Sequence, residues 1–395
     1  MKHLRFAWIL AFLIHPVLAQ NVAERINYAH QYNPDEELQM KVVYGTRPSG
    51  ELEVMIGLYH RDENRPLDYE FTFYGLEGYA VELEQNIIPP ISSRQVGAMG
   101  NTTIHAFRFP QNIHKIIIAQ VTSPVTGLSY YENIQPTDDA FPALLIEPSG
   151  LPALGSYVNE GRYDISAAVP LTVDYYDHEF PFALPPMTTK QPEVSRTLEL
   201  TDSFEMDSTF DHIFSKTGLY VGKDMESNIR MVYRVEGGYY PEYVTIDDLI
   251  EPLVYITTRA ERETLTANKE DKKSFDRFWL DMTGSKENAK WIIKNYYRRI
   301  SEANTMFTSF KEGWKTDRGM LYVIFGPPDE VIRNGEQEYW NYKEGNDLPS
   351  LTFAFRTIRS PYAPRQYILN RDPRLSDDWM AAVKTWREGK PINDM

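Results

Sequence analysis

The sequence predicts a mainly β chain that ends in an α+β module. Two antiparallel β-sandwich domains precede an aromatic-rich C-terminal unit. Three observations carry this reading. Short alternating, β-branched or aromatic runs recur from Leu38 to Val235, with turn residues between them. The apolar period then changes from two to 3.6 after Pro252. Six of the seven Trp fall between Trp279 and Trp386, and Trp carries a large apolar area per side chain.

The first residues read as an address. Lys2 and Arg5 make a short basic region, Phe6 to Ile14 is apolar, and His15-Pro16 breaks the run. Val17-Leu18-Ala19 then offers small residues for cleavage. That is the layout of a secretory signal peptide over residues 1–19. The apolar run is about nine residues, where a spanning helix needs roughly 20. An exported chain with no transmembrane segment after cleavage is expected, in the periplasm or at the outer membrane. Removing residues 1–19 takes away two basic side chains and leaves 39 against 56 acidic ones, a formal charge of −17. Nucleic-acid binders show a basic face; none is visible here, and nucleic acid is not an expected partner. With no Cys, disulfides, thiol chemistry and Cys-based zinc sites are excluded.

Residues 20–36 are polar and are expected to be frayed at their start. The N-terminal β-sandwich is assigned to residues 20–140. Its strands are 38–44, 52–59, 69–74, 103–109 and 114–121. Residues 136–156 are rich in Pro and Gly and read as a linker around the apolar run Ala143 to Ile146. A second β-rich domain, 150–245, is expected to use 163–168, 171–176, 196–200, 218–221 and 229–235. The α+β unit spans 250–390. Thr258-Arg-Ala-Glu261 is a capping box, in which each end satisfies the other's orphan amide. Phe275, Phe278, Trp279 and Met282 share one helical face, with Gly284 as its stop. A second helix is expected from Lys286 to Met306, with Ala289, Ile292, Ile293, Tyr296, Ile300 and Ala303 as its apolar stripe. Met320 to Phe325 reads as a strand. Asn334-Gly335 marks a hairpin between 331–333 and 338–342, and 351–356 is a further strand. Ser376 is expected to cap a last helix that ends at Gly389.

The densest cluster of special residues is 313–330, Gly-Trp-Lys-Thr-Asp-Arg-Gly-Met-Leu-Tyr-Val-Ile-Phe-Gly-Pro-Pro-Asp-Glu. Gly313 and Gly319 suit positive φ or close chain approach. Thr316 and Asp317 can bond local amides and fix a turn. Gly326-Pro327-Pro328 is a stiff exit. Arg318 has Asp317, Asp329 and Glu330 as acidic candidates, and a pair with Asp329 or Glu330 would tie the two ends of the 320–325 run together. Gly313-Trp314-Lys315-Thr316-Asp317 resembles the signature of the GWxTD-domain proteins. So do Arg318-Gly319, Tyr322 and the Phe325 to Asp329 turn. The resemblance implies an exported protein of bacteria such as Bacteroidota, and it implies no established activity or catalytic residues.

Three uses of the motif are open. It could be a structural keystone. Asp317, Asp329 and Glu330 could act as acid, base or cation ligands in an envelope polysaccharide or peptide hydrolase. Trp314 and Trp340 could form a ligand surface, as in a carbohydrate-binding protein. Asp174, Asp177, His178 and Glu179 have oxygen and imidazole donors at metal-ligand spacing but read as a polar loop. No His follows His212, and no His-x-x-x-His, Ser elbow or phosphate loop is present. No catalytic residue, cofactor or metal is assigned. The expected function is a non-enzymatic envelope component that binds other envelope proteins.

Overall fold

The computed structural model describes residues 22–62, 68–110, 114–167, 169–190, 197–209, 211–345 and 348–389. The leader at 1–19 lies outside the described residues, as does part of the expected 196–200 strand. Among the described residues no helix is long and apolar enough to cross a membrane. The chain is mainly β, with two sandwiches whose described strand pairs are antiparallel apart from the parallel pairing of Tyr157–Asn159 with Arg230–Glu236, and with helices gathered in the C-terminal region.

Among the described residues the first sandwich has seven strands: β1 (Leu38–Thr46), β2 (Leu52–His60), β3 (Glu70–Leu76), β4 (Ser92–Met99), β5 (Thr102–Phe109), β6 (Ile116–Thr122) and β7 (Ser129–Ile134). They form sheets in the orders β1-β2-β5-β4 and β3-β6-β7. Phe73, Phe107, Phe109, Ile117 and Val121 fill the space between them. The run Ile116-Ile117-Ile118 is apolar on both parities because β6 is covered on both faces. Ile117 points into the sandwich, whereas Ile116 and Ile118 join the C-terminal core. The sequence expectation missed β4 and β7. The solvent-facing β4 carries Ser92, Ser93, Arg94 and Gln95 and lacks an apolar alternation.

Among the described residues the second sandwich has eight strands: β8 (Leu145–Ile146), β9 (Tyr157–Asn159), β10 (Gly161–Ile165), β11 (Leu171–Tyr176), β12 (Asp202–Met206), β13 (His212–Phe214), β14 (Gly218–Lys223) and β15 (Arg230–Glu236). The orders are β12-β11-β14-β15-β9 and β13-β10-β8. Residues 197–201 are not a strand; β12 starts at Asp202, where pairing with β11 begins. The Pro/Gly-rich stretch at 136–156 is seated rather than loose: Ala143, Leu144 and Leu145 are buried between the two sandwiches' cores.

The C-terminal module contains α1 (Ile246–Ile250), α2 (Arg259–Ala267), α3 (Lys272–Thr283), α4 (Lys286–Phe307) and α5 (Asp317–Phe325). The hairpin β16 (Glu330–Asn334) and β17 (Gln337–Tyr342) follows, then β18 (Leu351–Ser360), β19 (Ala363–Leu369) and α6 (Ser376–Arg387). Thr258 and Glu261 form the expected reciprocal cap of α2. Gly284 ends α3 in the left-handed region, at φ 67°. The Asn334-Gly335 hairpin closes with a loop of only Gly335 and Glu336. Ser376 is not a cap: a 3-10 turn at Pro373–Leu375 leads into α6 and Leu375 occupies the cap position.

Two expectations fail with clear causes. Residues 320–325 are helix, not strand. Gly319 to Phe325 are buried on every side, so the segment shows no amphipathic period, and a short wholly apolar run does not distinguish strand from buried helix. Nor is the N-terminal segment frayed. Ala23, Ile26, Tyr28 and Tyr32 are buried in the C-terminal core. The Tyr28 N–H donates to Val331 O (2.8 Å), and Asn27 Oδ1 accepts the Val331 N–H (2.9 Å). Residues 22–32 thus strap the edge of β16.

Candidate functional site

The signature turn is made by backbone crowding. A Cβ on Gly313 would lie 1.9 Å from Ala303 O on α4, and one on Gly319 would lie 1.9 Å from Gly313 O. Neither Gly is needed for positive φ; both are needed for close approach. Trp314 is 0% exposed. Its indole N–H donates to Tyr243 Oη (2.9 Å), its amide to Asn304 Oδ1 (3.2 Å), and its carbonyl accepts from Tyr255 (3.0 Å). Thr316 caps α5 by accepting the Gly319 N–H (3.0 Å) while its hydroxyl donates to Gly313 O (2.7 Å). Asp317 accepts the Leu369 N–H (2.8 Å) and pairs with Arg371 (2.6 Å).

The far end of α5 is equally closed. Arg299 donates to Ile324 O (3.2 Å), and the Trp386 indole N–H donates to the same carbonyl (3.0 Å). A cation under exposed helix carbonyls satisfies both their hydrogen bonding and the helix dipole. Gly326 leaves the helix at φ 80° against the Arg299 guanidinium, and its carbonyl accepts from Tyr342 (2.9 Å). The Tyr322 hydroxyl donates to Glu302 (2.9 Å).

Two buried charge networks flank the turn. Lys315, 2% exposed, pairs with Glu251 (3.0 Å) and Glu312 (3.3 Å). Glu312 also holds Arg234 (2.9 Å), which contacts Glu236. Three carboxylates against two cations leave one in excess. Burial pushes the Glu236 carboxyl up to about 7, with Arg234 opposing and Glu312 adding to the rise. On the other side Glu338, 1% exposed, accepts from Arg333 (2.8 Å), Tyr32 (2.9 Å) and the Trp340 indole (2.9 Å), with Arg318 at 3.6 Å. Burial works against that charge, but Arg333 and Arg318 hold it below the usual carboxylate range.

These contacts correct the expected grouping. The partner of Arg318 is Glu338, not Asp329 or Glu330. Asp329 is exposed and accepts the Lys343 N–H (2.8 Å), and Glu330 is exposed and accepts from Asn341 (2.8 Å). Asp317 is held by Arg371, so the three carboxylates are engaged separately and form no acid/base pair. Trp340, like Trp314, is 0% exposed, so neither offers a ligand surface. Pro327 is half-buried and Pro328 buried, as the stiff exit requires. Asp174 pairs with Lys223 (2.7 Å) and accepts from Ser203 (3.0 Å), while His178 is exposed beside Phe180. Sequence reading missed Glu338 and Arg333. Their signal was parity: Glu338 alternates with Trp340 and Tyr342, and Arg333 with Val331, so both charges occupy core-facing positions.

The signature faces a cavity of about 1220 Å³ between the three modules. Thr316, Asp317 and Arg318 line it, with Tyr44 from β1, Arg230 from β15 and Arg365 and Tyr367 from β19. The Arg318 guanidinium stacks 3.6 Å over the Tyr367 ring. Lys311, 9% exposed, donates to Pro181 O (2.9 Å). Burial pushes its ammonium down to about 8; Asp317 and Glu312 oppose the shift, and Lys315 and Arg371 reinforce it. The folded state therefore holds fewer protons than the unfolded one between about 8 and the usual lysine value. Lys311 should make stability rise with pH across that window. Chemical denaturation from pH 7 to 10 should show the rise in the wild type, and the difference between wild type and Lys311→Met should shrink as pH increases. An equal difference at both ends would contradict it.

The fold and site define a class of protein: two β-sandwiches and an aromatic α+β module, strapped together around a cation-lined cavity. The GWxTD domain family model matches residues 218–388, so the C-terminal part of the chain is a GWxTD domain. The match begins at β14, ahead of the helices, and so includes β15, whose Arg234 and Glu236 complete the network behind the signature turn. No curated protein matches the chain. Among solved structures, the chain is similar to bovine butyrophilin at 9% identity, covering 24% of this chain and 41% of that one, with TM-score 0.18. It is similar to DIP-gamma IG1+IG2 at 12% identity, covering 51% and 97%, with TM-score 0.17. A set of titin domains matches at 13% identity, covering 51% and 64%, also with TM-score 0.17.

Proposed function

We propose that the protein is a non-enzymatic, exported cell-envelope component that binds or assembles other proteins in a periplasmic or outer-membrane complex. One observation carries the reading. The signature turn spends its side chains on structure and forms a wall of a large cavity shared by all three modules. The leader-like layout of residues 1–19 supports export. A cavity built where modules meet is a common place for recognition. Mild extraction from the native host followed by affinity purification should return the protein with stoichiometric partners. Elution as a lone monomer would contradict the proposal.

A further inference from the structure

The C-terminal sheet has the order β16-β17-β18-β19, so β16 and β19 are its edges. An open edge presents unpaired backbone groups that invite another chain. The β16 edge is covered in cis by Asn27 and Tyr28 of the strap. The β19 edge is treated differently. Asp317 accepts the Leu369 N–H (2.8 Å), standing where a neighbouring strand's carbonyl would be. Leu369 thus turns its backbone away from β18, whereas the Asn370 N–H donates inward to Ala354 O (2.8 Å). The register runs unbroken from Gln366 to Leu369. Backbone direction alternates along a strand, so Tyr367 also directs its N–H and C=O outward. Beyond Asp317 this edge lies along the cavity, which Ala363, Arg365, Gln366, Tyr367 and Ile368 line.

Charge indicates what the edge would accept. Arg230, Lys311, Arg318, Arg359 and Arg365 line the cavity against Asp139, Asp317 and Glu336, in a chain of formal charge −15. Two of those carboxylates are already taken: Asp139 by Arg359 (3.0 Å) and Asp317 by Arg371 (2.6 Å). Among the described residues Arg230, Lys311 and Arg365 have no carboxylate partner; Lys311 rests on Pro181 O and Arg365 on the Tyr44 hydroxyl. Arg365 and Tyr367 are two apart on β19, hence on one face, and Arg318 stacks on Tyr367.

We propose that the cavity receives an extended acidic segment of another polypeptide, added as a strand to the open edge of β19, with its carboxylates against Arg365, Arg318 and Lys311. Main-chain bonds to the edge supply affinity and alternate side chains supply specificity. The inference deepens the assembly reading and rests on it.

The test is panning of the full chain against a displayed library of random nine-residue peptides. Sequences with Asp or Glu at alternate positions should be enriched. Arg365→Glu should weaken the best of them at least tenfold; should that variant fail to fold, the exposed Arg230→Glu carries the same test. Methylating alternate backbone nitrogens of the peptide, at unchanged charge, should also cost at least tenfold. Enrichment without acidic bias, no enrichment, or indifference to either change overturns the proposal. So does full competition by an acidic oligosaccharide such as oligogalacturonate when the methylated peptide binds as well as its parent. Failed panning with partners still recovered from the host removes this surface alone; failure of both removes the assembly reading.

Discussion

Gly319→Ala will unfold the C-terminal module at a temperature at which the wild type is intact. The added Cβ would sit 1.9 Å from Gly313 O and 3.0 Å from Trp314 Cα, both backbone atoms. No side chain can rotate to relieve this. The helix α5 must move, and it is buried along its whole apolar length and tied at both ends. Overpacking typically costs about 1–3 kcal/mol where side chains can adjust. With backbone on both sides the loss should be ~3 kcal/mol or more, a fall of roughly 6–12 °C for a module of this size. Gly313→Ala meets Ala303 O at the same 1.9 Å and should behave alike. Gly237→Ala is the control, since nothing lies within 4 Å of its Cβ position and its φ is not positive. Differential scanning calorimetry with near-ultraviolet dichroism of the clustered Trp reads the result. A midpoint within a degree or two of wild type for Gly319→Ala would mean that the turn is not held by backbone contact.

Glu338→Gln should be the second large loss. Glu338 faces Arg333 and Arg318 and also receives the Tyr32 hydroxyl and the Trp340 indole. The amide keeps the shape but, among the described residues, leaves Arg318 without a carboxylate in the interior and Arg333 with Glu132 (3.1 Å) in place of two. Breaking a buried pair from one side costs about 3–5 kcal/mol, because a buried charge is left uncompensated. The same reasoning predicts non-additivity. Arg333→Met with Glu338→Leu should be less damaging than Glu338→Gln alone, since neither charge of that pair then remains. Tyr32 belongs to the strap, so Glu338→Gln should also expose residues 22–32 to protease before the rest of the chain. Equal losses for the single and double variants would show that packing, not charge, governs the site.

The elements with a clear period were legible in the sequence. The cap at Thr258 and Glu261, the stop at Gly284, the α4 stripe and the Asn334-Gly335 turn are local devices, and local spacing suffices to read them. The failures have a different origin. α5 has no polar face, so period cannot identify it. Residues 22–32 look polar, yet Ala23, Ile26, Tyr28 and Tyr32 are buried against a module some 300 positions away in the chain. Arg318 was expected to use the acids nearest in sequence, but its partner is set by the β16–β17 register, which places Arg333 opposite Glu338. Trp314 and Trp340 were candidates for an exposed platform; their indole N–H groups find Tyr243 and Glu338 inside the core instead. What sequence could not supply was the cavity, which exists only where three modules meet.

The most direct test of the account is site-specific photocrosslinking in living cells of the native host. A photoreactive phenylalanine analogue at Ile358, half-buried on the cavity wall, is compared with the same group at the exposed Lys115, away from the cavity. The account predicts a discrete crosslinked partner from position 358, absent from position 115 and lost when Arg365→Glu is introduced. Monomer alone from both positions, or the same adducts from both, would contradict it.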